Sequence, residues 1–341
     1  MQPNPKYDLK NCEAVRQYYD TLLRHQLTNA TSVIALTNAG LRILTGLAED
    51  EADTVLLSSA KALLGDSDVF QSISALPKCY SVISLGCDII DRFLGGGIPV
   101  HGITEISGES SSGKTQICLQ LSIMALLTAA STSHAVYICT EDRFPDKRLR
   151  QMLQERGETG TDLSDNVLVS HVGELDALMK CLEHTLPSLR RTKNIRLVVI
   201  DSVAALFRAE YGEGQGAQRA ADLMKFACVL DRVWRTGVVV VCVNQVSDVV
   251  SEAAIAPVAG AATIPSLGLS WANAVTTRIF VSRTVLLHTA STNSSNPPVV
   301  RRMHVAFAPH LPKRSEGCFY IVNARGVCGV EHVESAAPER K

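Results

Sequence analysis

The sequence predicts an α/β fold with a mostly parallel sheet, preceded by a small all-helical N-terminal domain. Apolar runs with the length of buried strands alternate with helical stretches, and these runs are 135–140, which is apolar up to Thr140, 197–200 and 238–243. Strands that are apolar throughout are typical of parallel sheets covered by helices on both faces. Near the N-terminus, in contrast, apolar residues recur at helical spacing, as at Val15, Tyr18, Tyr19 and Leu22.

Composition divides the 341 residues into four segments. We predict a helical domain at 1–64, a linker at 65–82 that contains several Ser and Asp residues with Gly65 and Pro77, an α/β domain at 83–330, and a flexible tail at 331–341. Within the α/β domain, Asp88–Phe93 is predicted as a short helix and 143–186 as mostly helical. Short strand-like pieces from Arg278 onward are predicted to add antiparallel strands at the sheet edge.

The N-terminal segment contains Leu44-Thr45-Gly46-Leu47, which resembles the turn of a helix-hairpin-helix. Such a turn can place backbone N–H groups against DNA phosphates. The alternative is an ordinary glycine cap between two packed helices. Residues 1–64 carry six Lys or Arg against seven Asp or Glu, which favours a helical interaction module over a DNA clamp.

Whole-chain composition excludes several classes. Hydrophobic residues make up 46% and charged residues 20%, which is enough for a full core. The net charge of -1 provides no general attraction to nucleic acid. We expect no membrane span, since no uninterrupted apolar run approaches ~18 residues. The ten cysteines include no C-x-x-C pair, and we interpret those on core elements as buried hydrophobes in a reducing compartment.

The clearest motif matches the phosphate-binding pattern G-x-x-x-x-G-K-[ST] and lies between a predicted strand and a predicted helix. Its residues are Gly108, Glu109, Ser110, Ser111, Ser112, Gly113, Lys114 and Thr115. The glycines allow the backbone to fold around a phosphate, with the helix N-terminus behind it. Lys114 is therefore predicted to reach the β- and γ-phosphates of a nucleotide, and the Thr115 hydroxyl to bind Mg²⁺.

Three further strands end in polar residues that suit a nucleotide site. Asp201 has the position of a Walker B carboxylate and is predicted to bind Mg²⁺. Glu141 is a candidate base for the attacking water, and Gln245 could sense the γ-phosphate. Each of these alone could be an ordinary turn residue, but ligands bind beyond the carboxyl ends of parallel strands. Together with the P-loop they predict a single nucleotide site with catalytic residues Glu141, Lys114 and Gln245.

This combination resembles the RecA/eukaryotic strand-exchange recombinase family over roughly residues 80–330. The resemblance rests on the stretches 108–115, 137–141, 197–202 and 243–246. Further stretches resemble the recombinase paralogues within that family, namely 136–142, 144–145, 147–149, 199–205, 267–273 and 308–312. The resemblance implies a RecA-like P-loop ATPase core that binds ATP and Mg²⁺.

The resemblance also implies residue roles. Arg148 would lie against the adenine, where a stacked guanidinium is physically reasonable; the alternative is a solvated helix charge. The first DNA loop would be 208–219, and the second would lie between Gln245 and Arg278. Phe70 would be the polymerisation anchor, although Ile73 stands where the family carries alanine.

The function implied by the resemblance is an ATP-binding paralogue acting in DNA double-strand break repair by homologous recombination. It would be a nuclear protein, with some in the cytoplasm, and a weak DNA-dependent ATPase. It would assemble with another recombinase paralogue and stabilise a recombinase filament on single-stranded or branched DNA. The alternative is a DNA-dependent ATPase that itself forms strand-exchange filaments; a hexameric RecA-type helicase has no support from the motifs.

Charge in the two DNA loops distinguishes these alternatives. Residues 246–277 contain no Lys or Arg, whereas Asp248 and Glu252 are acidic. In the first loop region, Arg208 and Arg219 are set against three carboxylates. Because phosphate contacts need cations near the DNA backbone, we expect the isolated chain to bind DNA weakly. Stacking on bases could involve Tyr211 and Trp271, although Trp271 equally suits a core position.

Overall fold

The computed structural model describes residues 8–64, 81–128, 132–158, 163–212, 214–248, 263–265, 267–288, 298–312 and 316–335. The chain divides into two compact units, Met1–Lys78 and Cys79–Lys341. The division falls within the segment predicted as a linker. Phe70 and Ile73 of that segment lie outside the described residues.

The described part of the N-terminal unit is helical. Two 3₁₀ turns, Leu9–Asn11 and Glu13–Tyr18, precede four α-helices, and these are α1 Tyr19–Arg24, α2 Ala30–Ile34, α3 Asn38–Thr45 and α4 Glu49–Leu64. Their shared core contains Val15, Leu22, Val33, Leu41 and Val55, all fully buried. The helical spacing seen in the sequence therefore corresponds to one small apolar core.

The turn between α3 and α4 has the geometry of a glycine-capped helix end. Gly46 adopts φ 73°, and its N–H donates to the Arg42 carbonyl at 2.8 Å. Thr37 caps the other end of α3 by accepting from the Gly40 N–H. Glu51 accepts from the Ala48 N–H at 2.8 Å and closes the first turn of α4. These local bonds account for the turn without a nucleic-acid ligand.

The second unit contains fourteen strands and eight α-helices among the described residues. The strands are β1 Val82–Ile83, β2 Ile98–Pro99, β3 Ile103–Gly108, β4 His134–Cys139, β5 Val167–His171, β6 Ile195–Asp201, β7 Val239–Asp248, β8 Thr263–Pro265, β9 Thr277–Arg283, β10 Leu286–His288, β11 Arg301–Phe307, β12 Cys318–Asn323, β13 Gly326–Val330 and β14 Val333–Ser335. The helices are α5 Asp88–Phe93, α6 Lys114–Leu127, α7 Asp146–Glu155, α8 Leu175–Lys180, α9 Leu186–Leu189, α10 Val203–Glu210, α11 Gly216–Trp234 and α12 Gly268–Ala274. A π-helical turn, Cys181–Thr185, joins α8 to α9.

The main sheet runs in the order β13-β12-β11-β9-β3-β7-β6-β4-β5, with β8 paired to β7. The six strands from β9 to β5 are mutually parallel, and β11, β12 and β13 add antiparallel strands on one side. This confirms the predicted α/β fold with a mostly parallel sheet. It also places the carboxyl ends of β3, β4, β6 and β7 at the same edge.

The two faces of the sheet carry separate apolar cores, because side chains alternate along each strand. One core packs α6 against the sheet through residues such as Ile106, Ile117 and Val199. The other packs α10, α11 and α12 through residues such as Ile200, Phe226 and Trp271. The fully apolar runs read from the sequence are thus strands that are covered on both sides.

The structure corrects four expectations from the sequence. The stretch 143–186, predicted mostly helical, includes β5. The strand β9 was expected at an antiparallel edge, yet it lies inside the sheet and pairs parallel with β3. The predicted first DNA loop is helical except for its centre, since α10 extends to Glu210 and α11 begins at Gly216. The tail predicted as flexible contains β14, which pairs antiparallel with β10.

Among the described residues, no helix combines the length and apolar character that crossing a membrane requires.

Candidate nucleotide site

The P-loop connects β3 to α6, as its sequence context predicts. A Cβ atom on Gly108 would lie 2.0 Å from the carbonyl oxygen of Val281 on the neighbouring strand, so this position accommodates only glycine. Gly113 adopts φ 103° and forms the N-cap of α6, a backbone conformation that side chains rarely tolerate. The two motif glycines therefore fix the path of the loop at the helix N-terminus, where anions bind.

Lys114 folds back along the loop. Its ammonium donates to the carbonyl oxygens of Gly108 at 2.8 Å and Glu109 at 2.7 Å. Burial lowers the pKa of Lys114, although the neighbouring carboxylate of Asp201 acts in the opposite direction. A partly desolvated ammonium gains more from an anionic ligand than an exposed one does, so its surroundings suit a phosphate group.

Thr115 and Asp201 meet as the predicted metal ligands should. The Thr115 hydroxyl donates to Asp201 Oδ2 at 2.8 Å, and the Tyr137 hydroxyl donates to the same oxygen at 2.7 Å. Burial raises the pKa of Asp201, while these two hydrogen bonds act to lower it. One carboxylate and one hydroxyl, beside a loop for phosphates, form a donor set that fits Mg²⁺.

Glu141, at the end of β4, lies in a polar network with residues from three other elements. Its Oε2 accepts from the Ser202 hydroxyl and from Gln245 Nε2, each at 2.9 Å. Arg208 Nη2 donates to Gln245 Oε1 at 2.5 Å and lies 3.8 Å from Glu141 Oε1. The structure thus brings together Glu141 and Gln245, which the sequence predicted, and adds Ser202 and Arg208.

A cleft of about 660 Å³ joins these groups. Its lining includes the P-loop residues Gly108, Glu109, Ser110, Ser111, Gly113, Lys114 and Thr115, together with Glu141, Asp201 and Gln245. Ser112 is fully buried beneath the loop, where its hydroxyl donates to the Glu109 carbonyl. Two residues on the antiparallel strands also shape the site: Arg301 lines the cleft, and the Tyr320 hydroxyl donates to the Ser112 carbonyl at 2.7 Å. No local motif marked them, since they are about 190 residues or more from the P-loop in sequence.

Arg148 lies next to this cleft but is not part of its lining. Its guanidinium donates to Gln116 Oε1 at 2.8 Å and to the carbonyl oxygens of Asn323 and Ala324. These bonds tie α6 and α7 to the turn between β12 and β13. Gln116 lines the cleft, whereas Arg148 does not. The contact between Arg148 and an adenine therefore stays a prediction.

The two aromatic candidates for stacking on DNA bases have structural roles. Trp271 is fully buried, and its indole N–H donates to Glu105 Oε1 at 2.9 Å. Its interpretation as a core residue is therefore correct. The Tyr211 hydroxyl donates to Asp222 at 2.7 Å, and its ring stacks on Phe207. Residues 249–262 and 266 of the predicted second DNA loop lie outside the described residues, and the rest of it includes β8 and α12.

A buried polar cluster underlies the P-loop strand and was not predicted from the sequence. Glu105, in the middle of β3, has no exposed surface. Its carboxylate accepts from Asn244 on β7, Trp271 on α12 and the guanidinium of Arg278 on β9. The Arg278 side chain is 13% exposed, so this is a buried ion pair. The cluster joins the strand that leads into the P-loop to three other elements.

Comparison with known proteins agrees with this geometry. The sequence model of the Rad51 family matches residues 78–327. DNA repair protein XRCC3 of Mus musculus is 34% identical over 336 residues, which cover 92% of this chain and 95% of the mouse protein. The XRCC3 protein of Bos taurus is 34% identical over 327 residues, covering 89% and 93%. DNA repair protein RAD51 homolog B of Zea mays is 32% identical over 266 residues, covering 75% and 76%.

These relatives confirm the resemblance that the motifs indicated, to the recombinase paralogue X-ray repair cross-complementing protein three. The match of the family model covers nearly all of the unit that contains the P-loop. On both counts, the chain belongs to the Rad51 family.

Proposed function

We propose that this chain binds ATP with Mg²⁺ and acts in DNA repair by homologous recombination, as a partner that assembles or stabilises other RecA-like proteins on single-stranded DNA. The observation that carries the proposal is the convergence of Lys114, the Thr115–Asp201 pair and the Glu141–Gln245 pair on one cleft. Family membership supports ATP as the ligand, and the names of the relatives support DNA repair. A repair role places the protein in the nucleus, with some in the cytoplasm.

Each residue has a distinct task in this site. The N–H groups of the P-loop and the Lys114 ammonium bind the phosphates, and Thr115 with Asp201 would hold Mg²⁺, which neutralises phosphate charge. Glu141 is oriented by Ser202 and Gln245, so that its carboxylate can accept a proton from water. The first two tasks require only binding, whereas the third makes the chain an ATPase.

The partner role is supported by charge. The stretch 246–277 has no Lys or Arg, and Arg208 of the first loop region is hydrogen-bonded to Gln245. Sequence-independent DNA affinity comes largely from cations that contact phosphates. We therefore propose that a more basic recombinase paralogue supplies the adjoining DNA surface, and that Phe70 contributes to the contact that recruits it.

Replacing Lys114 tests the ATP site. In Lys114→Ala, we expect binding of a fluorescent ATP analogue to fall at least about tenfold, because the desolvated charge beside the phosphates is lost. The control is Lys147→Ala, which removes an exposed lysine from α7 and should bind the analogue normally. Equal affinity in wild type and Lys114→Ala would contradict the assignment.

DNA binding tests the partner role separately. We expect the isolated chain to bind single-stranded DNA weakly, and with a shallow dependence on salt concentration, because few phosphates are neutralised. Co-purified with a candidate paralogue, the complex should bind more tightly and with a steeper salt dependence. Tight, strongly salt-dependent binding by the chain alone, with long filaments in electron micrographs, would instead support the strand-exchange alternative.

A further inference from the structure

Arg208, Gln245 and Glu141 form a closed triangle beside the P-loop cleft. A single nitrogen of Arg208, Nη2, donates to Gln245 Oε1 at 2.5 Å and lies 3.8 Å from Glu141 Oε1. The other end of the Gln245 amide donates to Glu141 Oε2 at 2.9 Å. The guanidinium can only donate and an ionised carboxylate can only accept, so this amide orientation alone satisfies both neighbours.

The two carboxylate oxygens of Glu141 differ in the number of hydrogen bonds that they already accept. Oε2 already accepts from Ser202 and Gln245, whereas Oε1 faces Arg208 beyond hydrogen-bonding distance. Oε1 is therefore the oxygen with more capacity to accept a proton from water. A bidentate pair with Arg208, the geometry that guanidinium and carboxylate favour, would occupy it.

Gln245 is hydrogen-bonded to both Arg208 and Glu141 and so competes with direct pairing between them. The Gln245 carbonyl accepts one hydrogen of Nη2, and its amide nitrogen donates to Glu141 Oε2, an oxygen that a bidentate pair with Arg208 would also need. Both charged side chains are partly exposed, at 45% for Arg208 and 41% for Glu141, so both have room to move. Removing the Gln245 side chain would release Nη2 from its acceptor and take away one of the two donors to Glu141 Oε2.

We propose that Gln245 is a positioning residue that keeps Arg208 from pairing with Glu141, so that the carboxylate stays available as a base. This inference rests on the proposed ATPase site and adds a role for Gln245 and Arg208 that contact with phosphate does not require. It makes a specific prediction about epistasis. When Gln245 is removed, most of the resulting loss in ATP hydrolysis rate comes from pairing of Glu141 with Arg208. Removing Arg208 as well restores that portion of the rate.

The test measures single-turnover ATP hydrolysis with protein in excess over labelled ATP. We expect Gln245→Ala to lose roughly 100-fold in rate, the scale of an obstructed general base. The double variant Gln245→Ala/Arg208→Gln should recover at least about tenfold of that loss. A matched control is Gln245→Ala/Arg232→Gln, because Arg232 also pairs with a glutamate, Glu183 at 2.7 Å, but neither residue lines the P-loop cleft. The control should hydrolyse ATP as slowly as Gln245→Ala. The proposal would be overturned if Gln245→Ala/Arg208→Gln were equally slow.

A second measurement needs no hydrolysis. The coupling between Arg208 and Glu141 in the nucleotide-free protein is obtained from a double-mutant cycle of thermal unfolding, once with Gln245 and once with Gln245→Ala. We expect the coupling energy between Arg208 and Glu141 to be larger when Gln245 is absent. An unchanged coupling energy would refute the proposed positioning role of Gln245. If the coupling energy increases but neither the wild type nor any variant hydrolyses ATP, the effect of Gln245 on the Arg208–Glu141 pair would be supported and the proposed ATPase activity rejected. Loss of ATP analogue binding is reported separately by Lys114→Ala.

Discussion

The buried carboxylate of Glu105 makes the most demanding prediction for the stability of the second unit. In Glu105→Ala, the guanidinium of Arg278 keeps its buried position, at 13% exposure, without its counter-charge. Breaking a buried ion pair from one side costs about 3–5 kcal/mol. The donors of Asn244 and Trp271 also lose their acceptor, at about 1–3 kcal/mol each where no water replaces it. These terms overlap, so we expect a loss of about 4–5 kcal/mol.

Urea unfolding followed by tryptophan fluorescence measures this loss, since both tryptophans, Trp234 and Trp271, belong to the second unit. The control is Glu183→Ala, which breaks the more exposed pair with Arg232 and should cost no more than about 1 kcal/mol. A similar small loss in Glu105→Ala would show that the carboxylate is not needed to compensate Arg278.

Because a loss of this size is a large part of the stability of a typical domain, a milder set of variants guards against complete unfolding. Glu105→Gln preserves side-chain volume and can still accept from Trp271, but it leaves Arg278 without a counter-charge. Adding Arg278→Met removes the buried cation, and replacing both members of a buried pair is often close to neutral. We therefore expect the double variant to be more stable than Glu105→Gln alone. Additive losses would refute the buried-charge reasoning.

Two further predictions concern the site itself. Glu141→Gln should keep ATP affinity within about twofold and reduce single-turnover hydrolysis by roughly 100-fold, since a base acts in the transition state; equal losses in both would assign Glu141 a structural or metal-organising role. Asp201→Asn concerns pH: because burial raises the pKa of Asp201 in the folded state, its contribution to stability is present below its unfolded pKa of about 4 and is lost as pH rises through the folded value. The nucleotide-free Asn variant should therefore gain stability relative to wild type between about pH 4 and pH 7, measured by urea unfolding at a series of pH values, and a relative loss would mean that the folded pKa is lowered.

Several elements could be predicted from the sequence because their signals are local. The helix Asp88–Phe93 was predicted with the bounds that the structure shows, and β4, β6 and β7 contain the continuous apolar runs seen in the sequence. The strand β5 was missed because its residues alternate between buried and exposed, so no continuous apolar run marks it. The first DNA loop was drawn from family resemblance, and helix formation in α10 and α11 overrode that boundary.

In the nucleotide site, too, the residues with a local sequence signal were predicted, and the residues that come from distant parts of the chain were missed. The P-loop has its own motif, and Asp201, Glu141 and Gln245 each come after an apolar run, so the sequence alone predicted the class of site and most of the residues placed in it. Arg301 and Tyr320 reach the loop from strands about 190 residues or more away, and Arg208 reaches Gln245 and Glu141 from α10. Their roles depend on the strand order, which non-local pairing sets.

The sequence by itself determined that this is a P-loop α/β protein with a helical N-terminal unit, because motif, periodicity and apolar runs are properties of short stretches. Only the tertiary structure decided that β9 pairs with β3 in the middle of the sheet. Only the tertiary structure, likewise, shows that Glu105 pairs with Arg278 and that Gln245 is hydrogen-bonded to both Arg208 and Glu141. The physical reason is that a charge inside a fold is stabilised by whichever partners the chain brings beside it, and in these cases they come from distant parts of the sequence.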